Sequence, residues 1–434
     1  MVNILKQNIN WQTTDYNYPF ANKINKVITA NLRIVCKEIV RNIPRLTSIY
    51  LTGSYSRGEG CVIINNNKIK ILSDFDIFII SDAQPFILKI QTKALQKALS
   101  QLKLLNTYIM PGHPIVELYI VNKKRTQNLL FETTPLFNYE LRTAKLIYGK
   151  EMLNTIPKIE SNYISPYNGM RLLFDRIFGA IIPFSTDLLY FKPECQKQRH
   201  LMFEVTKLIL ACRDSLLLLD GIYFPTSKQR QIYFENKYKR YNFLVQSSYF
   251  LYLTNVAQLY RLRPSKELEK DAIKLSFLAF NLSYKILTIF LEKIYKIRDK
   301  SLRSILNSLM NIEFQPFIYE TTCYILKNLK KEKYVFNYLF NKSTNRILSA
   351  MIILILAVSE NGIDKLKLNK ALEILYPYMS SLNIKHNEYK MWNFLKEVIV
   401  CNYISPFPPT ISIRKNWQFF LAEVLLSSKY LMKV

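Results

Sequence analysis

The segment Asp74–Ile80 reads DFDIFII, five large apolar residues interrupted only by two acids. A short run this apolar is a strand buried on both faces, so it fixes a sheet in this part of the chain. Side chains alternate along a strand, which puts Asp74 and Asp76 on one face, about 6.6–6.8 Å apart. Phe75 and Ile77 point the other way. Two carboxylates held together repel and resist desolvation unless a cation sits between them. Their hard oxygens suit Mg²⁺, which keeps several waters and is commonly shared with phosphates. A strand end carrying two surface aspartates is the simpler alternative.

The neighbouring sequence supplies partners for this strand. Residues 22–41 carry apolar positions at Ile24, Val27, Ile28, Leu32, Val35 and Ile39, a helical stripe. Leu46–Leu51 reads as a strand, and 61–64 and 69–72 flank a polar Asn65–Lys68 turn as a hairpin. Pro85–Leu105 is amphipathic and helical, Pro114–Val121 is a strand, and Leu136–Tyr148 reads as a helix. Beyond residue 162 the periodicity is helical: 168–182, 198–219, 237–262, 265–297, 302–309, 318–329, 344–358 and 365–376, with helix-like stretches in 387–434. The expected fold class is α+β, with a mixed sheet and flanking helices in residues 1–160. A helical substrate or acceptor region (161–300) and a helical C-terminal region (301–434) follow.

Composition narrows the class. In 434 residues, 49% hydrophobic content with only 9 Gly and 17 Pro excludes wholesale disorder and collagen-like or low-complexity chains. Six cysteines with no CxxC pair fit neither a zinc site nor a disulfide framework and point to reduced thiols. The N-terminal stretch lacks an apolar core of the secretory type, and the longest apolar run, Ile347–Val358, is too short to cross a bilayer. A cytoplasmic protein without a transmembrane segment is expected. Sixty Lys and Arg against 32 Asp and Glu leave a formal charge of +28. That excess reflects either compositional drift or an anionic partner.

Two further features bear on chemistry. The strand Leu46–Leu51 runs into LTGSYSRGEG, where Gly53-Ser54 offers a corner that phosphate oxygens can approach closely, and Arg57 a forked cation one turn on. In PIVELYIV, Glu117 is the sole acid of a strand otherwise able to be buried. It could complete a metal site, take a proton from an attacking hydroxyl, or simply occupy a sheet edge. The basic, aromatic run 228–243 reads as a solvated helix face or as a surface for stacking bases.

Together, Gly53-Ser54, the nearby Arg57-Gly58-Glu59, Asp74-Phe75-Asp76 preceded by Ser73, and a later strand acid resemble the nucleotidyltransferase superfamily with the DNA polymerase β-like core. The similarity is greatest to its minimal and aminoglycoside-type members and covers roughly residues 22–150. The resemblance implies that Gly53 and Ser54 hold the β- and γ-phosphates of an NTP such as ATP, with Arg57 at a basic position near the triphosphate. It implies that Asp74 and Asp76 bind catalytic Mg²⁺ in a two-metal site, with Glu117 as the third carboxylate. The chain departs from the pattern in a longer gap between Ser54 and Asp74, and in Glu where Asp is usual. The implied activity is transfer of NMP from an NTP to an acceptor hydroxyl or phosphate on a small molecule, a protein or an RNA end, releasing pyrophosphate. A non-catalytic nucleotide- or RNA-binding protein on the same fold is the alternative.

Overall fold

In the computed structural model, the residues described are 21–65, 68–102, 104–107, 115–128, 135–190, 195–241, 247–299, 301–311, 343–375 and 388–402. The helix expected at 318–329 and the segment 403–434 lie outside them.

The described residues begin with α1 (Ala21–Asn42), whose predicted apolar stripe is buried except for the half-buried Val27, and continue into β1 (Leu46–Thr52). A four-residue helical turn, α2 (Gly53–Ser56), leads to the hairpin β2 (Val62–Asn65) and β3 (Lys68–Ile71). Then come β4 (Phe75–Ser81), α3 (Pro85–Ser100), β5 (Val116–Asn122), α4 (Pro135–Glu140) and β6 (Lys145–Gly149). The main sheet is four-stranded and mixed, in the order β5-β4-β1-β6. β4 runs parallel to β5, while β1 is antiparallel to both β4 and β6.

Alternation in β4 divides its side chains between two cores. Phe75, Ile77 and Ile79 join Ile49 and Leu51 beneath α1 and α3. Phe78 and Ile80 join Tyr50, Tyr119, Val121, Leu141 and Ile156 on the opposite face. Asp76 and Glu117 share the parity of this second face and lie where it meets solvent.

The helix expected over Leu136–Tyr148 is corrected. α4 ends at Glu140, a tight turn covers Leu141–Thr143, and Lys145–Gly149 becomes the edge strand β6. Pairing with the open edge of β1 satisfies the backbone of this segment, and its alternation suits a sheet with cores on both faces. Ile147 enters one core and Leu146 packs against the other.

The helical body comprises α5 (Tyr167–Ile181), α6 (Cys195–Leu219), α7 (Ser227–Lys237), α8 (Ser247–Leu262), α9 (Lys266–Glu269), α10 (Ala272–Tyr295), α11 (Leu302–Asn311), α12 (Ser343–Leu356), α13 (Lys365–Leu375) and α14 (Glu388–Asn402). The single helix expected over 237–262 is not continuous: α7 ends at Lys237, a tight turn covers Tyr238–Tyr241, and α8 begins at Ser247. A two-residue ladder pairing Val358–Ser359 with Gly362–Ile363 had no strand signal in the sequence. Residues on both sides of position 300, from Met170 to Val400, build one apolar core. Among the described residues one helix, α10, is long and apolar enough to cross a bilayer, and 61% of its most apolar window is buried inside the protein.

The hairpin sits between the two units. Val62, Ile69 and Ile71 belong to the core under α1 and α3, whereas Cys61, Ile63 and Leu72 belong to the core of the helical body.

Candidate metal and nucleotide site

Three strand ends assemble the site. In the parallel β4–β5 pair, Asp76 stands opposite Glu117, and in the antiparallel β1–β4 pair it stands opposite Thr52. Equal parity brings Asp76 and Glu117 to one face, and Asp74 joins them from just before β4. One oxygen of each carboxylate lies within 4.8 Å of the others.

The Gly-Ser corner meets this cluster directly. Thr52 Oγ1 donates to the Asp76 carbonyl at 3.1 Å. Gly53 adopts φ +66°, in the left-handed region that glycine enters without steric penalty. A Cβ at Gly53 would fall 1.7 Å from Asp76 Oδ2, so the corner and the carboxylate are as close as a residue without a side chain permits. Ser56 Oγ donates to the Gly53 carbonyl at 2.8 Å and closes the turn. Tyr55 stacks on Phe75, with ring centroids 4.9 Å apart, which ties the corner to the strand that carries the acids. Ser73 anchors the return of the hairpin, its Oγ accepting the Cys61 N–H at 2.8 Å.

Electrostatics set this cluster apart from surface acids. Each of the three carboxylates keeps some solvent exposure while surrounded by protein. Burial pushes Asp76 up to about 8, with the Asp74 charge adding to it and Arg57 opposing it. Burial also holds Glu117 well above the usual carboxylate range, and Asp74 and Asp76 reinforce the effect. A group of three hard oxygens whose mutual repulsion and burial outweigh the nearby cations is what a divalent cation neutralises. The donor set could therefore hold a divalent metal ion.

The helical body contributes cations that sequence reasoning missed. Lys207 of α6 is near enough for its charge to act on Asp74, Asp76 and Glu117, and Arg176 of α5 acts on Glu117. Lys207 Nζ pairs with Glu204 at 3.0 Å and lies over the Phe203 ring. Burial lowers its pKa, and Glu204 offsets part of that. In the sequence Lys207 is one polar position in a long apolar helix; only the packing of α6 against the sheet unit reveals its direction.

Ser54 stays partly exposed on the corner, with its carbonyl accepting the Glu59 N–H at 2.8 Å. Arg57 sits at the far end of the turn. Its Nε lies 3.0 Å from Glu59 Oε2 and its Nη1 3.7 Å from Glu140 Oε2. Burial disfavours the Arg57 cation, but Glu140 and Glu59 more than offset it and hold its pKa above the usual value. The basic run at 228–243 is likewise not wholly a solvated face, because Arg230 is buried against Asp214 at 3.0 Å.

No protein-family model and no curated protein matches this chain.

Proposed function

We propose that this protein is a nucleotidyltransferase of the polymerase β-like class, moving NMP from an NTP to an acceptor hydroxyl or phosphate with release of pyrophosphate. The observation that carries this reading is the convergence of Asp74, Asp76 and Glu117 on one side of a glycine corner that touches Asp76. A metal-binding carboxylate cluster alone has many uses; one built against a corner lacking a side chain favours a phosphorylated ligand.

Asp74 and Asp76 would hold Mg²⁺, with Glu117 as a third oxygen donor. Bound Mg²⁺ supplies Lewis-acid charge at the transferring phosphate and at the pyrophosphate. The residues of the chain provide position and electrostatics. Gly53 and Ser54 seat the triphosphate beside the carboxylates. Lys207 and Arg176 bring positive charge from the facing helices, where phosphate charge gathers. The net charge of +28 supports an anionic acceptor.

The test is incubation with each α-labelled NTP, Mg²⁺ and a panel of RNA ends, proteins and small metabolites, followed by detection of transferred label. The expected result is Mg²⁺-dependent transfer that disappears when Asp74→Ala and Asp76→Ala are combined. Transfer that survives the double substitution overturns the assignment.

A further inference from the structure

Six charged side chains, three of each sign, line the seam between the sheet unit and the helical body. From the sheet unit come Arg57, Glu59 and Glu140; from the body come Arg213, Asp214 and Arg230. Besides pairing with Arg57, Glu59 accepts through Oε1 the N–H of Lys228 in the first turn of α7, at 3.1 Å. Glu140 Oε1 accepts the Tyr223 hydroxyl at 2.9 Å and lies 3.9 Å from Arg230 Nη1. Arg230 continues to Asp214, and Asp214 Oδ1 pairs with Arg213 Nη2 at 2.7 Å. Glu140 pairs with one cation of each unit, Arg57 and Arg230.

These groups are not among the three carboxylates, yet they bear on them, the Arg57 and Glu140 charges both acting on Asp76. Arg57 directly follows the turn that begins at Gly53, so its placement sets where that turn lies. Arg57 Nη1 is buried and makes no hydrogen bond, which leaves the Glu140 charge as its restraint on that side. Without the Glu140 charge, the Arg57 and Arg230 cations would face each other across the seam with less acid between them.

We propose that Glu140 is a positioning residue: by holding Arg57 against Tyr223 and Arg230, it fixes the Gly53–Ser54 corner relative to the helical body and makes nucleotide affinity depend on this contact between units. The proposal rests on the nucleotide-binding reading above. Glu140→Gln keeps the shape and an acceptor for Tyr223 but removes the charge. It lowers nucleotide affinity and keeps the three metal-site carboxylates themselves. Because the effect passes through Arg57, it vanishes once Arg57 is neutral.

The probes are the N-methylanthraniloyl derivatives of the four NTPs, titrated with Mg²⁺ present, and Mn²⁺ alone followed by electron paramagnetic resonance. Glu140→Gln is expected to weaken the best-binding nucleotide by about tenfold, the scale of coupling within one ion-pair network. Mn²⁺ affinity should change far less than nucleotide affinity, since Glu140 reaches the cluster only through its charge on Asp76. Glu140→Asp should recover part of the nucleotide loss, and that loss should be silent in an Arg57→Gln background. Should Glu140→Gln fail to fold, Tyr223→Phe carries the test, with an expected loss of about threefold for one hydrogen bond. Wild-type affinity in Glu140→Gln, or an equal loss in the Arg57→Gln background, overturns the proposal. The nucleotide reading fails with a different signature: wild type and the Asp74→Asn, Asp76→Asn double variant bind all four nucleotides equally, or not at all, and the proposal falls with it.

Discussion

Gly53 and Asp76 are so close that the first carbon of any side chain at position 53 would overlap the Asp76 carboxylate. The left-handed conformation of Gly53 and this contact impose the same requirement from two directions. Gly53→Ala is expected to cost about 1–2 kcal/mol from backbone strain alone, and to displace Asp76 as well. Chemical denaturation measures the first effect. A loss of Mn²⁺ affinity of roughly tenfold or more, followed by electron paramagnetic resonance, measures the second.

The raised pKa of Asp76 gives a pH-dependent stability with a definite sign. An acid whose folded-state pKa lies above its unfolded value near 3.8 contributes stability at low pH. That contribution is lost as pH rises through about 8. In metal-free protein, Asp76→Asn should therefore raise the melting temperature relative to wild type, with a difference that is small at pH 5 and grows towards pH 8.5. A gain of ~2 °C or more at the upper end corresponds to roughly 1 kcal/mol in a unit of 150–250 residues. Excess Mg²⁺ should remove the advantage, because it stabilises only the wild type. A difference that shrinks as pH rises would contradict the placement of this carboxylate.

Glu117 stands beside Asp76 in register and carries a carboxyl that is also harder to ionise than usual. Metal binding must displace protons from this pair, so Mn²⁺ affinity is expected to rise between pH 6 and 8.5. Glu117→Gln should flatten that rise. If Glu117 is mainly a ligand, Mn²⁺ affinity at pH 8.5 also falls by about tenfold or more. If it serves mainly to accept the acceptor's proton, turnover falls by about a hundredfold or more with Mn²⁺ affinity retained.

Lys207 separates nucleotide binding from metal binding. Its charge opposes that of the carboxylates in the absence of ligand and would face the triphosphate in its presence. Lys207→Gln should weaken NTP binding by about tenfold, while Mn²⁺ affinity stays level or improves. Isothermal titration of each ligand on the same preparation distinguishes this split from general damage, which would lower both.

The sequence made much of the acidic side legible. Strand alternation led to Asp74 and Asp76 as neighbours, and a single acid in PIVELYIV singled out Glu117. The three do lie together, though Asp74 precedes β4 and alternation does not govern it. Their convergence also needed β4 and β5 to be parallel and in register, which alternation does not specify. The helix expected over Leu136–Tyr148 is realised only as far as Glu140; the apolar residues beyond it satisfy either period, and the deciding factor is an available edge on β1. The cationic side was not legible. Lys207 looks like any polar residue on a buried helix, and the ion pairs of Arg57 reach residues more than eighty positions away through Glu140 and Tyr223.

The hairpin between the Gly-Ser corner and the aspartates carries a mechanical consequence. Val62 and Ile71 are rooted in one core while Ile63 is rooted in the other, so the ribbon works like a tenon seated in two mortises. Enzymes that swing like jaws around a substrate need a joint that yields, and here the joint is pegged from both sides. Any motion of one unit against the other would have to carry this ribbon with it, so the corner and the aspartates at its two ends would feel that motion together.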